Sequence, residues 1–325
     1  MKTPSRHLPW RLLVLALVSQ VLSMGCAVAP VSCPIASSPR TDLPKRGISA
    51  HRGGLLGCPL NTLGAFQRAI CRGVHQIELD VRATADGVLV VAHDDLLSGP
   101  GQRLDLSEST FDQVRKLELP PCQGETTPQH IPTLEQTLAV MPQNIWINVD
   151  IKKNDPSLAT LVAEIVAKAG RFGQVIFAAR DKAAPAIRQV GGRAGGTTWI
   201  ANMNRKLSRN QYVETTINSC AEFIQLIEVP YAPFVRGKPS PEAMRRLHEA
   251  GVRVNYSWLR EEGEKKVNQE LEDLFARGVD FVLVDYVEPA MKAAETMGIS
   301  ALVPRWSRAS LQTDEPSFHC PSPDQ

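Results

Sequence analysis

The chain has 325 residues, of which 43% are hydrophobic and 22% are charged, and its 36 Lys and Arg nearly balance its 34 Asp and Glu, for a formal net charge of +2. These ordinary globular values exclude wholesale disorder, a collagen-like fibre and a polytopic membrane protein. A nucleic-acid-binding protein usually has a basic surplus or a basic stripe, so we expect no nucleic-acid partner. The length allows two domains or a single α/β barrel of about 250 residues.

The N-terminal segment is typical of an export signal. Three basic residues precede the apolar run Leu12 to Leu22, which is about half as long as a transmembrane helix. The sequence LSMGC, which ends at Cys26, resembles a bacterial lipobox. We therefore expect residues 1–26 to be a signal peptide and Cys26 to carry a lipid anchor, so that the protein is an exported periplasmic or outer-membrane lipoprotein. A plain secretory peptide with an incidental cysteine is the alternative.

Pro and Ser are abundant on both sides of the central segment. Residues 27–46 therefore predict a flexible tether, and residues 301–325 predict a loose C-terminal tail. The segment between them, residues 47–300, is long enough for one large barrel, so we expect a single folded domain.

Six further cysteines could form disulfides in an oxidising compartment. Their irregular spacing, with no C-x-x-C, argues against a zinc framework. Cys71 lies inside an apparent amphipathic helix, so we expect it to be a core residue. The six are Cys33, Cys58, Cys71, Cys122, Cys220 and Cys320.

In chain order, eight short apolar runs rich in β-branched residues alternate with helical patterns, which is typical of a parallel sheet built from β-α units. The predicted strands are Gly47 to Ala50, Gln76 to Val81, Ile145 to Ile151, Gln174 to Ala178, Gly196 to Ala201, Phe223 to Val229, Val252 to Ser257 and Phe281 to Asp285. The predicted helices are Thr62 to Arg72, Thr133 to Met141, Ser157 to Ala169, Asp181 to Val190, Ser208 to Asn218, Pro241 to Ala250, Glu264 to Arg277 and Glu288 to Met297.

This alternation predicts an α/β fold, specifically a (β/α)8 TIM barrel. A doubly wound sheet is the alternative, but no G-x-G-x-x-G follows the first strand. One interruption follows the second strand, where Val88 to Ala92 is a candidate extra strand and residues 95–130 form a long polar excursion.

Charged and imidazole side chains are concentrated where the first predicted strands end. Catalytic groups of a barrel project from the C-terminal ends of its strands. The period of two along a strand places Glu78 and Asp80 on one face, and likewise Asp150 and Lys152. The full set is His51, Arg52, Glu78, Asp80, His93, Asp150 and Lys152.

Three of these residues, Glu78, Asp80 and Asp150, are carboxylates. Carboxylates that converge in a partly desolvated site repel one another unless they hold protons or a cation lies between them. Their hard oxygen atoms favour Mg²⁺ or Ca²⁺. Arg52 and Lys152 add fixed positive charge, and that combination suits an anion with several oxygens, above all phosphate. The pattern predicts a divalent-metal site that acts on a phosphate ester.

Longer motifs surround these residues. They read ISAHRG at 48–53, IELDV at 77–81, HD at 93–94, IPTLE at 131–135 and DIK at 150–152, followed by GVD at 278–280 and DY at 285–286. Together they resemble the glycerophosphodiester phosphodiesterase family over about residues 47–296. The resemblance implies a barrel, a divalent metal on the carboxylates, and two histidines that act as acid and base.

Three positions depart from the pattern that the resemblance implies. Leu60 stands where the family usually has Glu before an Asn-Thr pair, and Asp150 stands where the third acidic ligand is usually Glu. Trp258 lies a few residues later than the usual tryptophan of the seventh strand, so we expect the pocket near it to be altered. These departures bear on the substrate more than on the type of reaction.

The two strand-end histidines are the candidates for proton transfer. His51 and His93 would serve as general base and general acid, in either order, because imidazole titrates near neutral pH. Arg52 and Lys152 would stabilise charge in the transition state. The remaining histidines have no such context, and we expect them to be surface or incidental residues: His7, His75, His130, His248 and His319.

Three hypotheses about function remain open. The first is metal-dependent hydrolysis of glycerophosphodiesters to glycerol phosphate and an alcohol. The second is a lysophospholipase D, which an apolar rim of Leu55, Leu56 and Leu60 would favour. The third is a lipoprotein that binds phosphodiesters without catalysis.

Overall fold

A computed structural model describes residues 42–179, 182–191, 197–199, 213–214, 216–217, 223–227, 240–259, 263–306 and 320. The expected signal peptide with its lipobox, most of the tether and most of the tail lie outside the described residues. Within the described ranges, no helix has the length and apolar character required to cross a membrane.

One curled sheet contains all eight strands that the sequence predicts. The described strands are β1 Gly47–Ala50, β2 Gln76–Ala83, β3 Leu89–Val91, β4 Leu96–Gly99, β5 Gln102–Asp105, β6 Trp146–Ile151, β7 Val175–Ala179, β8 Thr197–Trp199, β9 Phe223–Ile227, β10 Arg253–Ser257 and β11 Phe281–Val284. The eight predicted strands pair in parallel in the order β1, β11, β10, β9, β8, β7, β6, β2, and β1 also pairs with β2, so the sheet returns to its first strand. The prediction of an α/β fold with a parallel sheet is confirmed, and the arrangement is TIM-barrel-like.

Helices follow most of the parallel strands. The first, α1, begins after Thr62, whose hydroxyl accepts a hydrogen bond from the Ala65 amide, and ends at Gly73 in the left-handed conformation. The predicted helix at Ser208 to Asn218 is described only at residues 213–214 and 216–217. The helices are α1 Leu63–Arg72, α2 Phe111–Val114, α3 Leu134–Val140, α4 Pro156–Lys168, α5 Ala184–Gly191, α6 Pro241–Glu249, α7 Glu264–Ala276 and α8 Val287–Thr296.

The period of two along each strand divides apolar from polar side chains. On β2, Ile77 and Leu79 belong to the main apolar core, which lies between the sheet and the helices. Gln76, Glu78 and Asp80 alternate with them and are also buried, so they occupy the opposite face of the strand. The interior of the curled sheet therefore contains polar groups.

The excursion at residues 95–130 is more ordered than its polar composition suggested. It contains the β4–β5 hairpin and α2. A small apolar cluster packs it against the residues on either side of it, and a disulfide between Cys58 and Cys122 joins it to the loop after β1. The cluster consists of Val90, Ala92, Leu97, Leu106, Val114, Leu117 and Ile131.

The described ends of the expected tether and tail pack on the barrel. Leu43 is buried, and the Pro44 carbonyl accepts a hydrogen bond from the Trp146 indole at 2.8 Å. After α8, the Leu302 amide donates to the Gly73 carbonyl at 2.8 Å. The expectation that Cys71 is only a core residue is wrong, because it forms a disulfide with Cys320. The described residues before β1 and after α8 are thus attached to the barrel.

His75, which immediately precedes β2, is also different from what we expected. It is buried rather than a surface or incidental residue. Its Nδ1 accepts a hydrogen bond from the Ile48 amide at 3.2 Å, so Nε2 carries the proton and donates to the Ser300 carbonyl at 3.0 Å. The neutral imidazole satisfies both bonds, and a second proton on Nδ1 would face the Ile48 N–H.

Acid should therefore destabilise the fold through His75. Burial lowers the pKa of His75, against smaller opposing effects of the Ser300 carbonyl and Glu295. Since the unfolded state then binds more protons, the free energy of unfolding should fall as the pH drops below about 6.5. Urea unfolding across that range measures it. His75→Gln should flatten the pH dependence, and the exposed His130→Gln should not. An unchanged slope in His75→Gln would contradict this assignment.

Candidate active site

A tight turn places His51 and Arg52 at the carboxyl end of β1. Arg52, Gly53 and Gly54 all have positive φ, at 54°, 87° and 76°. A Cβ on Gly54 would lie 2.2 Å from Cγ2 of Val287, and one on Gly53 would lie 2.8 Å from the Ala65 Cβ. Only glycine fits both constraints at these two positions, so the sequence after His51 dictates the local backbone.

The three predicted carboxylates come together at the strand ends. Glu78 and Asp80 lie on β2, and the parallel register of β2 and β6 pairs Asp80 with Asp150. One oxygen from each residue lies within 4.8 Å of the other two. Glu78 and Asp80 are buried, and Asp150 is partly exposed. The strand pairing, rather than any loop, therefore creates the acidic group.

Two cations and one amide surround Asp80. Nζ of Lys152 lies 2.5 Å from Asp80 Oδ1 and 2.6 Å from Asp150 Oδ2, and so bridges the two aspartates. Nε of Arg52 lies 3.1 Å from Asp80 Oδ2. The Asn61 side-chain amide donates to the same Oδ2 at 2.7 Å. The negative charge of Asp80 is thus well compensated.

The nearby positive charges do not compensate the three carboxylates equally. Burial raises the pKa of Glu78 well above its usual value, and the charges of Asp80 and Asp150 raise it further. Burial also acts to raise the pKa of Asp80, but Lys152, Asn61 and Arg52 outweigh it, and the net shift is downward. Burial acts to lower the pKa of Lys152, but Asp150 and Asp80 raise it overall, so Lys152 stays charged. Glu78 is the carboxylate that most needs a proton or a further cation.

The acidic group fits a divalent cation by the chemistry of its donors. Carboxylate oxygens are the hard ligands that Ca²⁺ and Mg²⁺ prefer. Glu78, Asp80 and Asp150 each offer one such oxygen, and these three atoms lie within 4.8 Å of one another. A cation there would also offset the charges of Asp80 and Asp150, which add to the effect of burial in raising the pKa of Glu78.

The two predicted histidines differ in their surroundings. Nδ1 of His51 lies 2.7 Å from Oδ1 of Asp285, and its Nε2 lies 4.0 Å from Oε2 of Glu78. His93 is bonded through Nδ1 to the neighbouring Asp94 at 2.8 Å, and its side chain is 39% exposed. The backbone brings His93 near the site, because the preceding Ala92 amide donates to the Asp80 carbonyl at 2.9 Å. Among the described contacts, none joins the His93 imidazole to Glu78, Asp80 or Asp150.

Two residues of the site had no assigned role at the level of sequence. Asn61 binds Asp80, and Asp285 binds His51. Both lie in motifs that the sequence contains, the Asn-Thr pair before α1 and the Asp-Tyr pair after β11. Their position in those motifs could have identified them as site residues, but the motifs do not indicate which side chains they contact.

The expected apolar rim is only partly as predicted. Leu55 is 44% exposed, whereas Leu56 and Leu60 are half-buried. Leu96, which follows His93, and Leu259, which follows β10, are 48% and 40% exposed. Two of these exposed leucines, Leu55 and Leu259, lie in loops after β1 and β10, and Leu96 is the first residue of β4.

This chain thus adopts a TIM-barrel-like fold, with an acidic group at the carboxyl edge of its sheet. The sequence pattern of the glycerophosphoryl diester phosphodiesterase family matches residues 51–289. The chain belongs to this family.

Individual relatives agree with the family assignment. The Mycobacterium tuberculosis protein named "Probable glycerophosphodiester phosphodiesterase 2" is 43% identical over 106 residues, which are 32% of this chain and 37% of that protein. The human "Lysophospholipase D GDPD1" is 34% identical over 135 residues, 38% of this chain and 41% of that protein. The chain thus spans less than half the length of these curated relatives.

Solved structures share the fold. The crystal structure of a glycerophosphoryl diester phosphodiesterase from Parabacteroides distasonis aligns with a TM-score of 0.61 at 20% identity, covering 78% of this chain and 87% of that chain. At this level of identity the likeness concerns the fold alone.

Removing the charge of Glu78 should weaken cation binding. Glu78→Gln keeps the size of the side chain but takes away one hard ligand, so the affinity for Ca²⁺ or Mg²⁺ should fall by about 10- to 100-fold or more, since even changes to groups around a metal ligand have effects of that size. Isothermal titration calorimetry measures it. Glu249→Gln, a charge removal on the exposed surface of α6, is the matched control. Equal affinities in the two variants would remove Glu78 from the site.

Proposed function

We propose that this chain hydrolyses glycerophosphodiesters to glycerol phosphate and an alcohol on a (β/α)8 TIM barrel. The observation that carries the proposal is the combination, at one sheet edge, of three carboxylates with Lys152 and Arg52. Such a site can hold a divalent cation and still present positive charge to a phosphate. Membership in the family supports the choice of substrate.

The metal would be held by Glu78, Asp80 and Asp150, as Ca²⁺ or Mg²⁺. When bound, it would supply positive charge beside the phosphate oxygens. Arg52 and Lys152 would bind the same anion, and their contacts with Asp80 hold both cations beside the acidic group. These two side chains would stabilise the charge that develops in the transition state.

Proton transfer would involve two histidines. His51 would take on its Nε2 atom a proton from a water molecule whose oxygen forms a bond to phosphorus, and His93 would donate a proton to the oxygen of the leaving alcohol as its P–O bond breaks. His51 is largely buried beside Glu78, and His93 is more exposed. An exposed acid can exchange its proton with water between turnovers.

Chelation and histidine replacement test this function. Turnover of glycerophosphocholine should disappear in EDTA and return on addition of Ca²⁺ or Mg²⁺. His51→Ala and His93→Ala should each lower kcat by about 10²- to 10⁴-fold. His248→Ala, at a histidine bonded to Asp280 rather than to any of the three carboxylates, serves as the control. Full turnover after exhaustive chelation would refute a metal-dependent reaction.

A lysophospholipase D activity is the second candidate. The exposed Leu55, Leu96 and Leu259 are the observation that favours it, because apolar side chains near the site could contact an acyl chain. Relatives named lysophospholipase D support the same substrate class. A non-catalytic phosphodiester-binding protein would lack turnover on both substrate types.

Leu55→Glu should distinguish the two substrates. A charge at this exposed position disfavours an acyl chain but leaves a small diester unaffected, so the ratio of kcat/KM for lysophosphatidylcholine over glycerophosphocholine should fall. Leu161→Glu, at an exposed leucine on the outer helix α4, controls for a general effect of the added charge. The same ratio in both variants would show that Leu55 does not contact the lipid.

We also propose that the protein is an exported lipoprotein anchored at Cys26. Residues 27–41 would span roughly 20 Å as a flexible chain, so the barrel would stay close to a membrane and to products of lipid turnover. Mass spectrometry of the native N-terminus should find a lipid-modified Cys26, and Cys26→Ser should release soluble protein. An unmodified N-terminus at another residue would refute the anchor.

A further inference from the structure

Asp285 and His51 are neighbours because of strand pairing. The parallel register of β1 and β11 aligns Ala50 with Val284, the last residues of the two strands. His51 is the next residue after β1, and Asp285 is the next residue after β11. Their side chains meet with 2.7 Å between Nδ1 and Oδ1, although the residues are 234 positions apart in the sequence.

Asp285 also holds the turn that carries His51. Its carbonyl oxygen accepts a hydrogen bond from the Leu55 amide at 2.7 Å, while the Gly54 amide donates to the His51 carbonyl at 2.7 Å. Asp285 therefore contacts both the first and the last residue of the turn. The absence of a side chain on Gly54 allows this close approach, since a Cβ there would lie 2.2 Å from Cγ2 of Val287.

The side-chain contact determines which nitrogen of His51 carries the proton. An ionised carboxylate only accepts hydrogen bonds, so Nδ1 must be the protonated nitrogen in the neutral ring. Nε2 then has its lone pair available, and this atom faces the acidic group, 4.0 Å from Oε2 of Glu78. The His51 side chain is only 12% exposed, so water competes little for the bond.

We propose that Asp285 is a positioning residue that fixes the ring orientation and the Nδ1–H tautomer of His51, so that Nε2 can take a proton from the nucleophile. The role rests on the proposed hydrolysis for its effect on rate, but the tautomer can be observed without turnover. A carboxylate that holds an imidazole in one tautomer is a general means of preparing it for proton transfer.

Two other histidine–aspartate pairs, one near the site and one far from it, are less suited to this role. Asp94, the partner of His93, has a side chain that is 73% exposed and is adjacent to His93 in the chain. Asp280 bonds Nε2 of His248 at 3.0 Å, but it precedes β11 and so lies at the opposite end of the strand from Asp285. The pair of Asp280 and His248 therefore provides a matched control at the other end of β11.

The kinetic test compares Asp285→Asn, Asp285→Glu and Asp280→Asn in the full chain with glycerophosphocholine. Asp285→Asn preserves shape but not the carboxylate, so kcat should fall by about 10²- to 10⁴-fold with little change in KM. Asp285→Glu retains the carboxylate and should recover part of the lost rate. Asp280→Asn should turn over like the wild type. If Asp285→Asn were as active as the wild type and Asp285→Glu were worse, packing rather than the carboxylate would matter, and the proposal would be wrong.

Imidazole ¹⁵N spectra give a second readout that does not need activity. The chain has seven histidines, and the signals lost in His51→Asn identify those of His51. In the wild type at alkaline pH, Nδ1 should be protonated and Nε2 should not, and Asp285→Asn should shift the population toward the Nε2–H tautomer. An Nε2–H tautomer in the wild type would overturn the proposal. A wild type that shows the Nδ1–H tautomer but hydrolyses no phosphodiester would support the positioning contact and refute the proposed function instead.

Discussion

The crowding of three carboxylates in one largely buried place is the constraint on which the rest of the site depends. The pairing of β2 with β6 puts Asp80 beside Asp150, and the period of two adds Glu78 on the same face. Buried like charges raise one another's pKa unless cations compensate them. Lys152 and Arg52 compensate Asp80 but leave Glu78 with a strongly raised pKa. The site is thereby prepared to take up a cation.

The loops around the acidic group are held by contacts that extend well beyond it. Asn61 binds Asp80 from the loop before α1, and the disulfide from Cys58 to Cys122 joins that loop to the excursion. Arg68 donates to the Leu56 and Gln123 carbonyls, which connects the same two segments a second time. The excursion is thus joined at two points to the loop that positions Asn61, and the small apolar cluster packs it against Val90 of β3.

Local patterns in the sequence were sufficient for the strands of the parallel sheet and for the three carboxylates of the acidic group, but not for the β4–β5 hairpin and α2. Each predicted strand is present, and β2 extends to Ala83, two residues beyond its predicted end, where it pairs with β3. Gly53 and Gly54 also allow the turn after His51, since glycine adopts positive φ without steric cost. These features depend on neighbours within a few positions, or on the rule that parallel strands end at one edge.

What the sequence by itself determined is therefore the α/β class, the strand-end location of the carboxylates and the family to which they belong. The tertiary structure alone decided the partners: Asp285 for His51, Cys320 for Cys71, and Ser300 for His75. Each pair joins residues more than 200 positions apart in the sequence, so no local pattern carries the information. The return of the sheet to its first strand places β11 beside β1, and the packing of the chain after α8 against α1 and the start of β2 supplies the other two contacts. Such contacts depend on the folded core, whose burial brings together residues that are distant in the sequence.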